Sequence, residues 1–192
     1  MDALNLEPST YDGTYKLIGG RPSLDFINTI SWPDTERQHD WFDRPDNVVR
    51  WAEAVGIDMS LPAPKDLRMI LDLRATVRDV IVPLAHEKDP IRRDVDAFNA
   101  VLSAAASRRR IDPTTLEWFW PPTTAPSKAL DAVVFDAANV VVGDRSRLKH
   151  CPSCDWVFED HTRNGQRRWC DMRDCGSRAK SRAYYHRSKA SS

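Results

Sequence analysis

All four cysteines of the chain fall within 25 residues, spaced C-x2-C-x15-C-x4-C: Cys151, Cys154, Cys170 and Cys175. Nothing else in the sequence narrows the fold as far. Zinc favours a tetrahedron of four soft ligands, and a C-x2-C pair sets two thiolates along one edge of it. The 15-residue spacer is long enough to fold back and bring the second pair to the first. The arms "WVFED" and "QRRWC" flank a turn signal at Asn164 and Gly165, so the spacing predicts a hairpin through those arms. Trp156 and Trp169, one on each arm, are expected to cover the metal. A closed four-sulfur site leaves no position for a reactive water, so one zinc per chain is expected as a folding element. Disulfides fit a reducing compartment poorly, and a redox C-x-x-C has no need of a second pair. With four thiols present, His150, His161 and His186 are not needed as ligands.

Charge divides the chain. Residues 145–192 hold 12 Lys and Arg against 5 Asp and Glu, a balance of +7. Residues 1–144 hold 16 against 23, a balance of −7. Such asymmetry assigns the segments different tasks and points the basic one towards a polyanion. No apolar run approaches 18 residues, so no membrane span is expected. The opening "MDALNLEPST" has acids and a proline and no basic stretch, which argues against a secretion leader and for the cytoplasm.

The first 144 residues predict a mainly helical domain with its own core. A short strand begins at Thr14 and stops at Gly19 and Gly20. Ser23 is positioned to cap a helix carrying Leu24, Phe26 and Ile27. Residues 31–46 are polar and broken by proline, a loop with tryptophan anchors. Val48, Trp51, Ala52 and Val55 form one helical stripe, closed by Gly56. Residues 63–87 give the longest helical period, with Arg74 in its apolar seam and Pro83 expected to kink or end it. Asp89 and Pro90 mark the start of another helix. Residues 108–120 read as a hairpin around Asp112 and Pro113. Residues 127–144 read as one further helix, ended by Gly143. No phosphate-binding glycine loop or nucleophile elbow occurs, and His39 and His86 stand alone, so an enzyme is not expected.

Beyond Cys175, "GSRAKSRAYYHRSK" is helical in composition from about Arg173 to Lys189. At about 100° per residue, Arg178, Arg182 and Lys189 share one edge and Lys180 and Arg187 the opposite one. Ala179, Ala183 and His186 lie between as a packing face. Arg163, Arg167 and Arg168 add charge from the zinc segment. Guanidinium forks match phosphate oxygens and guanine edges. A zinc module with a basic helix is a frequent nucleic-acid reader, although a solvated charged helix has the same composition.

The stretch Cys175, Gly176, Ser177 and Arg178, preceded by "RRWC" and followed by Ala179 and Lys180, resembles the CGNR zinc finger. Upstream, "LIGGRPSLDFINT" resembles the opening of the ABATE domain, which accompanies this finger in bacterial stress-induced transcription regulators. Ser177 departs from the motif's asparagine. The resemblance implies an α+β chain. Residues 1–144 would form an ABATE-like helical domain, a place for sensing or dimerisation. Residues 145–192 would form a treble-clef-like four-cysteine finger of hairpin plus helix.

The first functional reading is a DNA-binding transcription regulator, with a small-molecule effector and a homodimer as further expected partners. Its contacts would come from Arg163, Arg167, Arg168, Arg178, Lys180, Arg182, Arg187 and Lys189. The second is a ligand-binding or enzymatic body with a pocket at Asp25 and Asn28 and the zinc module as a clip. A third is RNA stacking on Tyr184 and Tyr185.

Overall fold

The computed structural model describes residues 3–7 and 14–190. They form an α+β chain, mostly helical, with its strands in four separate antiparallel pairs. β1 (Ala3–Leu4) pairs with β2 (Tyr15–Lys16). α1 (Pro22–Ile27) follows and leads into the pair β3 (Ile30–Ser31) and β4 (His39–Asp40). Next come α2 (Pro45–Ala54), α3 (Pro64–Ala85) and α4 (Arg92–Arg108). β5 (Arg110–Ile111) pairs with β6 (Trp118–Phe119) in an exposed hairpin. α5 (Pro126–Ala129), α6 (Asp131–Val142), the pair β7 (Leu148–His150) and β8 (Val157–Glu159), a π-helical turn (Met172–Gly176) and α7 (Ser177–Ala190) complete the chain.

Several boundaries differ from the sequence reading for local reasons. Pro22 opens α1 with Arg21 as its extended cap. Ser23 lies inside the helix, where its hydroxyl donates to Asp136 Oδ2 at 2.6 Å, tying α1 to α6. The residue 31–46 loop contains the β3–β4 hairpin, though Trp32 and Trp41 are buried as expected. Pro83 sits in the last turn of α3, where it cannot donate to the Asp79 carbonyl, and the helix ends two residues later, at Ala85. α4 starts at Arg92, with extended Ile91 as its cap in place of Asp89. Residues 127–144 are divided at fully buried Leu130 into α5 and α6.

The zinc segment is part of the core. One apolar cluster joins Tyr15, Phe26, Trp41, Trp51 and Ile70 to the four cysteines, Trp156 and Phe158. A second joins α1, α3, α4 and α6 to Leu148 of β7 and Val157 of β8. Asn28, just past α1, acts as a strand edge for β8: its amide donates to the Val157 carbonyl, and its Oδ1 accepts the Val157 N–H, both at 2.8 Å. Trp156 Nε1 donates to Ser31 Oγ at 2.9 Å, and Trp32 Nε1 to the Ser153 carbonyl at 2.6 Å. The core of residues 1–144 is therefore shared with the segment that follows.

Candidate metal centre and basic surface

The first cysteine pair sits at the tip of the β7–β8 hairpin, and the arm "WVFED" pairs with residues 148–150 rather than with "QRRWC". Asp155 adopts a left-handed turn (φ 63°), its N–H donates to the Cys151 carbonyl, and the Cys151 N–H donates to the Trp156 carbonyl, each at 2.8 Å. The turn presents both sulfurs to the second pair. Asn164 and Gly165 do form a turn (Gly165 φ 59°), but within the spacer, which carries no strand beyond β8.

The second pair is presented by the π-helical turn before α7. Asp171 caps this turn through the Arg173 N–H at 2.8 Å and pairs with Lys16 of β2 at 2.5 Å. Gly176 packs closely: a Cβ there would meet the end of the Met172 side chain at 3.1 Å and Trp169 at 3.3 Å, so a larger residue would have to shift them by a few tenths of an ångström.

The four sulfurs are buried and all lie within 4.8 Å of one another. Cys154–Cys170 and Cys170–Cys175 are 3.5 Å apart, and Cys175–Cys154 is 3.6 Å. A tetrahedron with Zn–S near 2.3 Å has edges of about 3.8 Å, so the set fits one zinc ion. The sulfurs next to it, Cys151 first, together with burial push the Cys170 thiol far upward. Four thiolates this close need a dication, which zinc would supply by holding the π-helical turn against the hairpin. His150 and His161 stay outside the set. His150 stacks on His86 (centroids 3.8 Å), and His161 faces Glu159 at 3.3 Å.

The arginines divide by role. Arg167 is consumed internally: Nε donates to the Trp169 carbonyl at 3.0 Å, Nη2 to the Cys170 carbonyl, and the guanidinium lies over Phe158. Arg178 is half-buried, with Nη2 3.2 Å from Cys175 Sγ and Nη1 3.2 Å from Asp174. Arg163, Arg168, Lys180 and Lys189 are exposed, Arg168 over the Trp169 ring and Lys189 near Tyr185. The side chains of Arg182, Ala183, Tyr184, His186 and Arg187 lie outside the described residues. Sequence reasoning missed Arg37. It lies 4.6 Å over Trp32, whose ring also faces Arg178, and with Ser177, Arg178 and Ser181 it frames an open notch at the start of α7. Nothing in its polar loop signalled this.

Asp25 and Asn28, the expected pocket residues, are both buried and hydrogen-bonded to the backbone. Asn28 is fully buried and spent on Val157. Asp25 is buried and accepts the Gly19 N–H at 2.8 Å. Burial, reinforced by the charge of Asp136 and opposed by backbone hydrogen bonds, pushes its carboxyl up to about 7.

A family model described as "Putative stress-induced transcription regulator" (ABATE) matches residues 20–144, and the CGNR zinc finger model matches residues 147–188. No curated protein matches the chain. No helix among the described residues is long and apolar enough to cross a membrane. The shared core, the four-sulfur centre and the two matches agree: the chain belongs to the ABATE family and carries a CGNR zinc finger behind that domain.

Proposed function

We propose that this protein is a cytoplasmic transcription regulator that binds duplex DNA through the zinc centre and α7. The observation that carries the reading is the placement of α7 directly behind Cys175. Metal ligation would fix the direction of a helix bearing Arg178, Lys180, Arg182, Arg187 and Lys189. Exposed Arg163 and Arg168, and Arg37 from the body, extend the cationic surface. Arg167 supports the centre rather than DNA. The body would set the response of this surface, as a place for an effector or for dimerisation, and no catalytic step is assigned to it. A second reading, the zinc centre as a clip holding the body together, draws on the apolar clusters that both segments share.

The test is selection of bound sequences from random duplex DNA by the zinc-loaded chain, followed by salt titration. Each phosphate contact contributes about 0.9 log unit of affinity per log unit of salt. Replacing Arg163, Arg168 and Lys180 together by alanine should lower the slope by about three if each meets a phosphate. Arg92 and Arg93, on the acidic body, are controls and should leave it unchanged. Salt-insensitive or undetectable binding by the parent chain leaves the clip reading.

A further inference from the structure

We propose that the cleft between α3, α4 and the α5–α6 corner binds a small amphipathic monocarboxylate, with a compact aromatic or branched hydrocarbon body and a single carboxylate head. The cleft has a volume of about 390 Å3. That lies in the usual range for small-molecule sites between packed helices. At ~30 Å3 per water-sized group it suits roughly a dozen heavy atoms, too few for a long acyl chain.

Its walls are set by helical spacing. Met69, Leu73 and Thr76 form one stripe of α3, and Val101, Ala104 and Arg108 the facing stripe of α4; Val134 of α6 closes the back. The apolar members are Met69, Leu73, Val101, Ala104 and Val134. Met69 is 45% exposed, an unbranched and adaptable side chain at the mouth.

The polar end decides the head group. Arg108 binds buried Asp131 through Nε at 2.6 Å and Nη2 at 2.5 Å. That pairing leaves the Nη1 donors of a cleft-lining guanidinium for another acceptor. Ser127 and Lys128 of α5, just before Asp131 in the chain, also line the cleft. Asp131 balances the charge of Arg108, which leaves Lys128 as the further cation of the lining. The opposing charge, Asp72, stands exposed on α3 across the cleft. A carboxylate satisfies several donors at once through charge-assisted hydrogen bonds, whereas a plain hydrocarbon would bury them unpaired.

The inference stands apart from the DNA reading, and its test contains no DNA. The zinc-loaded full chain is titrated with 4-phenylbutyrate, 4-phenylbutanol and 4-phenylbutylamine, followed by methyl NMR and calorimetry. The carboxylate should bind saturably, one per chain, shifting the methyls of Leu73, Val101 and Val134. The alcohol should bind about tenfold more weakly, the amine more weakly still. Ala104→Phe, at an exposed position, should fill the cleft and abolish binding without unfolding the chain. Lys128→Gln should weaken the carboxylate several-fold and leave the alcohol unchanged, and Asp72→Asn should strengthen it. Absence of saturable carboxylate binding, unchanged binding to Ala104→Phe, or an amine as tight as the carboxylate would overturn the proposal.

Discussion

Asp25 holds a carboxyl where there is little water to stabilise its charge. Its pKa in the unfolded chain is about 3.9, against about 7 in the fold. Between those values the folded state keeps a proton that the unfolded state has released. The stability contributed at Asp25 is therefore highest below about pH 4, falls as pH rises through that window and is lowest above about pH 7. The full difference amounts to as much as about 4 kcal/mol. Asp25→Asn can keep an acceptor for the Gly19 N–H and removes the buried charge. Its unfolding free energy, from denaturant curves, should gain on the parent between about pH 5 and pH 8; parallel pH profiles would refute the account. Asn28→Ala should cost stability at all these pH values. It orphans the buried N–H and carbonyl of Val157, at about 1–3 kcal/mol for each group left unpaired. Both residues stood out in the sequence as polar groups in an apolar stretch, but their role was hidden. The partner of Asn28 lies 129 residues away, beyond any local pattern.

At the scale of elements, apolar periodicity carried most of the information. The stripe of α2 buries Val48, Trp51 and Ala52, and Gly56 takes the left-handed conformation (φ 77°) just past the helix. α3 turns Ile70, Val77, Ile81 and Leu84 inward around Arg74. What the period did not give was the answer to that arginine. Asp40 of β4 supplies it, at 2.7 and 2.5 Å, with Thr29 Oγ1 at 2.9 Å from Nη1. Asp40→Ala strands a buried guanidinium and should cost about 3–5 kcal/mol. Arg74→Met leaves the partner on the better-hydrated side of the pair, so it should cost less. Chemical unfolding of the two variants checks the order, and equal costs would mean the pair is not buried in effect. The zinc hairpin was misplaced for a related reason. Asn164 and Gly165 satisfy the rule for a tight turn, but β7 is only three residues long and lacks a clear alternation. The C-x2-C segment itself makes the hairpin turn, and the metal-ligand spacing concealed that role.

For the whole molecule, charge and packing divide the chain differently. Net charge changes sign after residue 144, and the two family matches meet near the same place. The apolar clusters cross it, with the cysteine sulfurs against the Tyr15, Trp41 and Trp156 region and Val157 against α1 and α3. Composition registers the charge, whereas shared burial appears only once the chain has folded. Zinc loss should therefore be felt throughout the protein. Elemental analysis should find one zinc per chain, and Cys170→Ser should reduce its retention. On chelation, near-ultraviolet circular dichroism from the buried tryptophans should collapse together with the far-ultraviolet helical signal, at a temperature well below that of the zinc-loaded chain. The direction follows from linkage: a metal bound only by the folded state contributes its binding free energy to folding. A metal-free chain that keeps both signals and its unfolding temperature would show that residues 1–144 close a sufficient core without the centre. Loss of the zinc while only α7 melts would place the boundary at the end of β8, with the hairpin held by Asn28 and Trp32 rather than by the metal.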